Sequence, residues 1–294
     1  GGTLVLDVGD RFDADRLLTL AERERANQLV IVGDAFARPI ADALSATPDR
    51  WILDDLVVIL SGGAVLSPAV RDQLLALLPG AVVVDGYGTS ETGGQGQMPI
   101  WAGQATTPLP RFHVDEDTVV LDDGGRPAPP GSGLVGRLAR RGRLPIGYHG
   151  DPERTAETFT TIDGQRWAIP GDLARVEADG SITLLGRGSS SINSGGEKIF
   201  PEEVEMVLKA HPAIFDAVVV GVPDDRFGHR VAAIVQTRHG DPVDRDDLDR
   251  HCRVHLAPFK VPRRVVEVAE VQRQPSGKAD LRWALLQVLD ASNS

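Results

Sequence analysis

The first hundred residues alternate between apolar runs and segments with helical spacing. The apolar runs are QLVIVG (28–33), LVVILSGG (56–63) and AVVVDGYG (81–88), and helical spacing occurs over 15–27, 34–46 and 68–78. Strands that alternate with helices predict a parallel sheet with both faces covered. In such sheets ligands bind beyond the carboxyl ends of the strands. Both SGGA (61–64) and DGYGTSE (85–91) follow a predicted strand, so we expect them to lie at that edge.

Beyond residue 108 the pattern changes to short alternating runs that are separated by turn residues such as DDGG and PPGSG. The runs are DTVVLDD (117–123), GLVGRLARR (133–141), RWAIPGDLARV (166–176) and SITLLGR (181–187). They predict a small antiparallel β unit with few helices.

The last part of the chain has the pattern of helices and strands of an α+β module. It is about 100 residues long, a normal size for a domain. Pro201 opens a predicted helix, PEEVEMVLKA, and two more helices are predicted at 244–256 and 280–289. Predicted strands are IFDAVVVGV, RVAAIVQTR and RRVVEVAEV.

Composition excludes several classes of protein. A net charge of −11 over 294 residues argues against a general nucleic-acid or anionic-membrane binder. No apolar run approaches the ~20 residues that a transmembrane helix needs. The single cysteine, Cys252, excludes an internal disulfide and favours a cytoplasmic location, and the histidines show no HExxH or CxxC companion. The opening GGTLVLDVGDRF lacks a methionine and predicts a fragment that begins inside or beside a strand.

Several polar side chains lie where a ligand could meet them, although each has an ordinary structural explanation. DGYGTSE offers an aromatic face (Tyr87), a hydroxyl (Ser90) and a carboxylate (Glu91) among glycines. Asp172 alone would be an Asx turn, and Lys278 alone a solvated charge.

The order and spacing of four stretches resemble those of the adenylate-forming superfamily, which contains acyl-CoA synthetases, peptide-synthetase adenylation domains and luciferases. These stretches are SGGAVLSP, DGYGTSE, PGDLARVEADGSITLLGRGSSSINSGGEKIFPEEVE and QPSGKADLR. The resemblance covers essentially the whole chain but only the C-terminal part of such an enzyme, and INSGGEKIFPEEVE is similar to bacterial fatty-acyl-CoA ligases. It implies a truncated α/β AMP-binding domain (1–108), a small β-barrel-like subdomain (109–186), a hinge (187–191) and a mobile α+β lid domain (192–294).

The resemblance also implies roles for individual residues. The implied ATP or AMP site comprises Gly62, Gly63, Ala64, Asp85, Gly86, Tyr87, Gly88, Ser90, Asp172, Arg187 and Lys198. In the family the tyrosine stacks on adenine, the hydroxyl meets the α-phosphate and the glutamate, here Glu91, holds Mg²⁺. Ser90 stands where threonine is usual and keeps the hydroxyl. Asp172 would accept from the ribose hydroxyls, and Arg187 would reach the ribose or the phosphate.

The implied mobile parts lie further along the chain. Ser189 occupies the hinge position, where the family usually has Asp or Lys. Gly195 and Gly196 would let the pantetheine arm of CoA pass, although an ordinary flexible linker explains these glycines almost as well. Lys278 would swing in as the catalytic cation and stabilise the charge that shifts between carboxylate and phosphate.

The implied function is ligation of a fatty or other bulky hydrophobic acid to CoA, with ATP, Mg²⁺ and CoA required. The family's loop for the β- and γ-phosphates has no counterpart among the 294 residues, so the chain alone is expected to be inactive or very feeble. Two alternatives stay open: a catalytically dead nucleotide-binding or scaffold remnant, and an adenylating enzyme that loads a carrier protein. The expected partners are small molecules, with neither nucleic acid nor a transmembrane segment, and a homo-oligomer is left open.

Overall fold

The structure is a computed structural model that describes residues 1–104, 109–238, 240–274 and 278–291. The chain divides into two compact units. The first unit comprises Gly1–Gly88 and Gly96–Thr107, and the second comprises Thr89–Gln95 and Pro108–Ser294. Among the described helices, none is long and apolar enough to cross a membrane.

The first unit is built around three parallel strands. Its elements are α1 (Ala14–Arg23), β1 (Gln28–Ile31), α2 (Asp34–Ala46), β2 (Val58–Gly62), α3 (Pro68–Leu77), β3 (Val82–Thr89) and β4 (Gly93–Ile100), the last two crossing into the second unit. β2 lies between β1 and β3, so that Leu60 is opposite both Val30 and Val84. Inward-facing residues such as Ile31, Ile59 and Val83 are buried against the helices. The predicted parallel sheet is therefore confirmed.

The start of the chain does not lie inside a strand, as one form of the expectation for GGTLVLDVGDRF had it. Residues 1–9 have no regular secondary structure, and Leu4, Leu6 and Val8 are largely exposed. A strand exists only where its backbone groups pair in a ladder, and these residues pair with no strand of the described chain.

The second unit begins with an antiparallel β region. Its elements are β5 (Arg111–Val114), β6 (Thr118–Leu121), β7 (Val135–Arg140), α4 (Pro152–Thr158), β8 (Phe159–Ile162), β9 (Gln165–Ala168), β10 (Asp172–Val176) and β11 (Ile182–Arg187). The strand order is β5-β11-β10-β7-β9-β8, with β6 also paired to β7, and it does not close into a barrel. RWAIPGDLARV forms two strands because Gly171, with a φ of 100°, interrupts it.

The rest of the second unit is the predicted α+β module. It contains a 3₁₀ turn (Gly188–Ser190), β12 (Ile192–Ser194), β13 (Glu197–Ile199), α5 (Pro201–Ala210), β14 (Ile214–Asp224), β15 (Gly228–Thr237), α6 (Arg245–His255), β16 (Arg264–Val268) and α7 (Leu281–Asp290). The sheet order is β13-β12-β15-β14, and β16 lies parallel to β15. Alternate residues of β14 enter two cores: Val219 packs with α5 and α6, whereas Val218 and Val220 pack with α7.

Candidate functional site

The carboxyl ends of β2 and β3 bring SGGA and DGYG side by side. In the parallel register Ser61 is opposite Asp85, and Gly62 is opposite Gly86. A Cβ atom on Gly62 would lie 3.1 Å from the carbonyl oxygen of Gly86, so the two backbones approach closely at this edge. Gly63 has a φ of 83°, a conformation that favours glycine, and the chain turns there at the end of β2. Two stretches that are distant in sequence thus form one backbone-lined edge.

Two hydrogen bonds join the start of α2 to the end of β2 and to the loop that follows β2. The amide of Gly33 donates to Ser61 Oγ at 3.3 Å, and the amide of Ser67 donates to Asp34 Oδ1 at 2.7 Å. Gly33 has a φ of 55°, and a Cβ atom there would lie 2.4 Å from the carbonyl oxygen of Val65. This position therefore requires glycine.

Asp85 is a buried acid in the middle of β3. Only 7% of it is exposed. Burial raises its pKa to about 7; the neighbouring negative charge of Asp34 adds to the shift, and the positive charge of Arg71 opposes it. Near neutral pH Asp85 is therefore divided between its neutral and ionised forms, which makes it a poor candidate for a permanent cation ligand.

In the second unit, a network of side-chain and backbone hydrogen bonds shapes the loop around Glu91. The amide of Glu91 donates to Thr89 Oγ1 at 3.2 Å, and the amide of Thr89 donates to Thr92 Oγ1 at 3.2 Å. The Thr92 hydroxyl donates in turn to Gln95 Oε1 at 2.9 Å. The phenol of Tyr148 donates to Glu91 Oε1 at 2.5 Å. These contacts fix both the backbone and one carboxylate oxygen of Glu91.

The Glu91 carboxyl is ionised at neutral pH. Its partial burial alone would raise its pKa, but donation from Tyr148 and Thr89, together with the positive charge of Arg187, holds the pKa below the usual value for glutamate. An ionised carboxylate in a half-buried loop is suited to a hard cation such as Mg²⁺.

Asp172 and Arg187 face each other across the antiparallel strands β10 and β11. The register pairs the two residues directly, and Arg187 Nε lies 3.3 Å from Asp172 Oδ1. The aspartate side chain is 7% exposed, whereas the arginine side chain is 53% exposed. Asp172 is thus an oriented acceptor, and Arg187 offers much of its guanidinium to solvent or to a ligand.

A third acid, Glu202, lies beside this pair at the start of α5. Burial raises its pKa to about 7; the negative charges of Glu205 and Asp172 add to the shift, and Arg187 opposes it. Among the described residues, Glu202 Oε2 has no hydrogen-bond partner. A Cβ atom on Gly186 would lie only 2.4 Å from that oxygen, so β11 makes room for the carboxyl by having no side chain there.

Lys278 projects from a loop whose base is held firmly. The amide of Gln274 donates to the Lys278 carbonyl at 2.8 Å, and Arg273 forms an isolated bridge with Ala279. The guanidinium of Arg273 contacts both carboxylate oxygens of Asp216 at 2.7–2.9 Å. Within the described chain the exposed Lys278 side chain makes no hydrogen bond or ion pair. Residues 275–277 of QPSGKADLR lie outside the described residues.

Gly195 and Gly196 form the turn between β12 and β13. Their φ values are 61° and 91°, as a two-residue hairpin turn with two positive φ angles requires. The amide of Gly195 also donates to the Phe227 carbonyl at 2.9 Å. The interpretation as an ordinary flexible linker is therefore wrong, because both glycines are ordered by a hairpin. Lys198 lies exposed on β13, opposite Asn193.

Two family models match the chain. A model of AMP-binding enzymes matches residues 1–146, and a model of the C-terminal domain of AMP-binding enzymes matches residues 203–278. The chain belongs to the AMP-binding enzyme family.

Curated relatives of this AMP-binding chain are CoA ligases. A medium/long-chain-fatty-acid–CoA/3-oxocholest-4-en-26-oate–CoA ligase from Mycobacterium marinum is 51% identical over 284 residues, which is 97% of this chain and 51% of the relative. A 3-oxocholest-4-en-26-oate–CoA ligase from Rhodococcus rhodochrous is 47% identical over 288 residues, 97% of this chain and 52% of the relative. The chain thus spans about half the length of these relatives.

Solved AMP-binding-type structures share the fold. The amide bond synthetase McbA from Marinactinospora thermotolerans superposes with a TM-score of 0.79 at 29% identity, over 93% of this chain and 55% of that one. ATP-bound MatB from Rhodopseudomonas palustris gives 0.75 at 27% identity, over 94% and 53%. The mixed α/β fold predicted from the resemblance is therefore confirmed.

The predicted site residues lie in several separate parts of the structure. Gly62, Gly63, Ala64, Asp85, Gly86, Tyr87 and Gly88 lie at or just beyond the ends of β2 and β3 in the first unit. In the second unit, Arg187 lies within electrostatic reach of both Asp172 and Glu91, with the exposed Ser90 beside Glu91. Lys278, Lys198, Gly195 and Gly196 lie elsewhere in that unit, and the backbone of Ser189 forms part of the 3₁₀ turn. Their assigned roles stay predictions.

The sequence offered no signal for two residues of this site. Tyr148 contacts Glu91 across 57 positions of sequence, and nothing in PIGYHGDP marks the tyrosine as its partner. Glu202 sits in a run of glutamates at a helix N-terminus, a pattern that predicts a solvated dipole-stabilising charge rather than a buried acid.

Glu91 fits the magnesium ion that the family implies. The described residues contain no group of three or more His, Cys, Asp or Glu side chains that could hold a metal by themselves. A magnesium ion that is held chiefly by phosphate oxygens and water needs only one or two carboxylates. Glu91 meets that requirement because it is ionised, partly exposed and fixed through one oxygen.

Proposed function

We propose that this chain provides the adenylate-binding and lid parts of an ATP-dependent acid–CoA ligase. The observation that carries the proposal is the Asp172–Arg187 pair, which presents a buried acceptor and a half-exposed cation whose charge also reaches the ionised Glu91. An acceptor for ribose hydroxyls, a cation for phosphate and a carboxylate for a metal are the three groups that a nucleoside phosphate needs. The names of the curated relatives support the CoA ligase class.

The proposed reaction has two steps. An oxygen of the substrate carboxylate attacks the α-phosphorus of ATP, and the bond from that phosphorus to pyrophosphate breaks to give acyl-AMP. The CoA sulfur then attacks the acyl carbon, the bond to AMP breaks and the thiol proton is released. Mg²⁺, when bound, would offset charge on the phosphate oxygens.

Each unit contributes its own residues to this proposal. In the first unit, Gly62, Gly63, Gly86 and Gly88 have no side chain to cover the backbone against a flat ring, and Tyr87 offers an aromatic face. In the second unit, Asp172 accepts from the ribose, Arg187 meets the phosphate and Lys278 carries a mobile point charge to the reacting carboxylate. We propose residues 187–191 as the hinge that allows this movement.

We propose a hydrophobic carboxylic acid as the substrate. The Mycobacterium marinum relative is named for medium- and long-chain fatty acids and for a steroid acid, and the Rhodococcus rhodochrous relative for the steroid acid alone. The 294 residues contain no GxxxxGK[ST] loop or similar phosphate-gripping segment. We therefore expect this chain by itself to bind adenylates without turning ATP over.

Calorimetry with AMP and with a non-hydrolysable dodecanoyl-adenylate analogue tests the proposal. We expect both ligands to bind, and Asp172→Asn to weaken AMP about ten-fold because an amide is a poorer acceptor for the ribose hydroxyls than a carboxylate. Asp163→Asn, in an exposed turn with a φ of 50° that asparagine tolerates, is the matched control and should change nothing. A folded chain that binds neither ligand, or an Asp172 variant with unaltered affinity, would overturn the adenylate assignment.

A second experiment supplies preformed dodecanoyl-AMP with CoA and follows dodecanoyl-CoA by chromatography. Thioester formation supports the ligase assignment, whereas adenylate binding without any thioester identifies a nucleotide-binding remnant instead. Replacing CoA with a phosphopantetheinylated carrier protein distinguishes the third alternative, which requires a faster reaction with the carrier. Lys278→Met should leave this half-reaction within two-fold, because the lysine is assigned to the first step.

A further inference from the structure

Tyr148 is held in place independently of its hydroxyl. Its amide donates to Thr155 Oγ1 at 2.9 Å, and its backbone forms an isolated bridge with Asp151 just before α4. The guanidinium of Arg154 lies 4.2 Å from the centre of the ring, and the ring of Phe159 packs 5.9 Å away. A cation over the face and an aromatic contact restrict the ring to one orientation.

The fixed ring aims its hydroxyl at one oxygen of Glu91. The phenol donates to Glu91 Oε1 at 2.5 Å, a distance typical of a strong bond from a hydroxyl to a carboxylate. The other end of Glu91 is also fixed, because its amide donates to Thr89 Oγ1. A free glutamate side chain has three rotatable bonds, and the tyrosine removes most of that freedom.

Stability of the turn at 147–155 does not require this contact. The amide of Tyr148, the Asp151 cap of α4 and the ring contacts stabilise that turn without the hydroxyl. The bond joins loop 89–95 to the segment before α4, and it ends on the carboxylate that the proposed function assigns to the metal.

We propose that Tyr148 is a positioning residue, whose hydroxyl orients the Glu91 carboxylate to receive a nucleotide-bound divalent cation. This inference rests on the proposed function. It assigns Tyr148 no direct contact with the cation, because the phenol acts through the carboxylate that it holds. Partners of metal-binding side chains commonly affect metal affinity in this way.

Water-proton relaxation with Mn²⁺–ATP tests the inference, because Mn²⁺ replaces Mg²⁺ and reports its own immobilisation. Tyr148→Phe removes only the hydroxyl and should weaken Mn²⁺–ATP binding about ten-fold, within the range found for partners of metal ligands. Affinity for metal-free AMP should stay within two-fold, because the hydroxyl is assigned a role only through the metal-binding carboxylate of Glu91. Thr161→Val is the matched control: it removes an exposed hydroxyl from β8, away from Glu91, and should leave Mn²⁺–ATP binding unchanged.

A double variant makes the mechanism explicit. Glu91→Gln should abolish the relaxation enhancement, and adding Tyr148→Phe should then change nothing further, since the tyrosine acts only through Glu91. Equal Mn²⁺–ATP affinity in the wild type and Tyr148→Phe overturns the inference, as does an equal loss in Thr161→Val or no enhancement in the wild type. If AMP and the dodecanoyl analogue also fail to bind, the proposed function fails first. Adenylate binding with an unaltered metal response refutes the role of Tyr148 alone.

Discussion

Asp85 should make the stability of the first unit fall as the pH rises. The ordinary pKa of an aspartate is 3.8, and burial raises that of Asp85 to about 7 in the folded protein. The folded state therefore binds more protons than the unfolded state between these two values. The stabilising contribution is complete below pH 4 and is lost as the pH rises through 7. Asp85→Asn replaces the acid with a neutral side chain of the same shape and should remove this dependence.

The expected size of the stability effect follows from the pKa shift of Asp85. A change from 3.8 to about 7 is roughly three pH units, and each unit corresponds to about 1.4 kcal/mol, so ionisation of Asp85 costs up to about 4 kcal/mol. Domains of this kind are stable by only about 5–15 kcal/mol, so the effect is large enough to measure. Asp54→Asn, at an exposed position in the same unit, should have little effect at any pH.

Trp51 provides a local probe for this measurement. It is 8% exposed in the core of the first unit, and a 5-fluorotryptophan label reports its environment by ¹⁹F NMR. Urea unfolding is followed at this signal between pH 4.5 and 8.5 in the wild type, Asp85→Asn and Asp54→Asn. The difference between wild type and Asp85→Asn isolates the contribution of Asp85 from that of every other group. The reasoning would be refuted if the difference in unfolding free energy between the two proteins were constant across this range. It would also be refuted if the wild type became more stable relative to Asp85→Asn as the pH rises.

Three further predictions concern single contacts. Gly33→Ala should lower the free energy of unfolding by about 3 kcal/mol or more, because its Cβ would lie 2.4 Å from a carbonyl oxygen. Gly80→Ala is the control and should be neutral or slightly stabilising, because no atom lies near that position. Arg273→Met should cost about 3 kcal/mol in urea unfolding by removing a partner from the largely buried Asp216. Glu202 has a pKa raised to about 7, so α5 should lose protection against hydrogen exchange as the pH rises from 4.5 to 7, and Glu202→Gln should remove that trend.

Each of these outcomes can fail in a recognisable way. Similar stability of the Gly33 and Gly80 variants would contradict the strained contact at Gly33. A loss below 1 kcal/mol for Arg273→Met would show that Lys209, which lies 3.4 Å from Asp216, compensates for the missing guanidinium. Unchanged exchange behaviour in Glu202→Gln would mean that another acid controls α5.

Elements with strong local signals were predictable from the sequence. The helix predicted over 34–46 matches α2, and Pro201 marks the start of α5 because proline is preorganised for a first helical turn. The opening GGTLVLDVGDRF was expected to begin inside or beside a strand; residues 1–9 form none, because an apolar run does not by itself supply a neighbouring strand to pair with. The hairpin at Gly195 and Gly196 was missed because its neighbouring strands are only three residues long.

The candidate site was predictable only where the chemistry is local. DGYGTSE and PGDL led to Glu91 and Asp172 only together with the other two stretches that resemble the adenylate-forming superfamily, because each stretch alone has an ordinary structural explanation. Tyr148 could not be found in this way, because its partner is set by how two distant loops pack. The burial of Glu202 is likewise a property of the contact between α5 and β11, which the amphipathic pattern of α5 does not specify.

Because Gly186 has no side chain, the contact between β11 and α5 leaves a space that the carboxyl of Glu202 fills. An alanine at that position would have to push the acid away or tilt the helix, so the two sites cannot drift independently during evolution. Gly186 also has a φ of 124°, which L residues rarely adopt, so homologues with a carboxyl at 202 should keep glycine at 186, a pairing that an alignment would reveal without any structure.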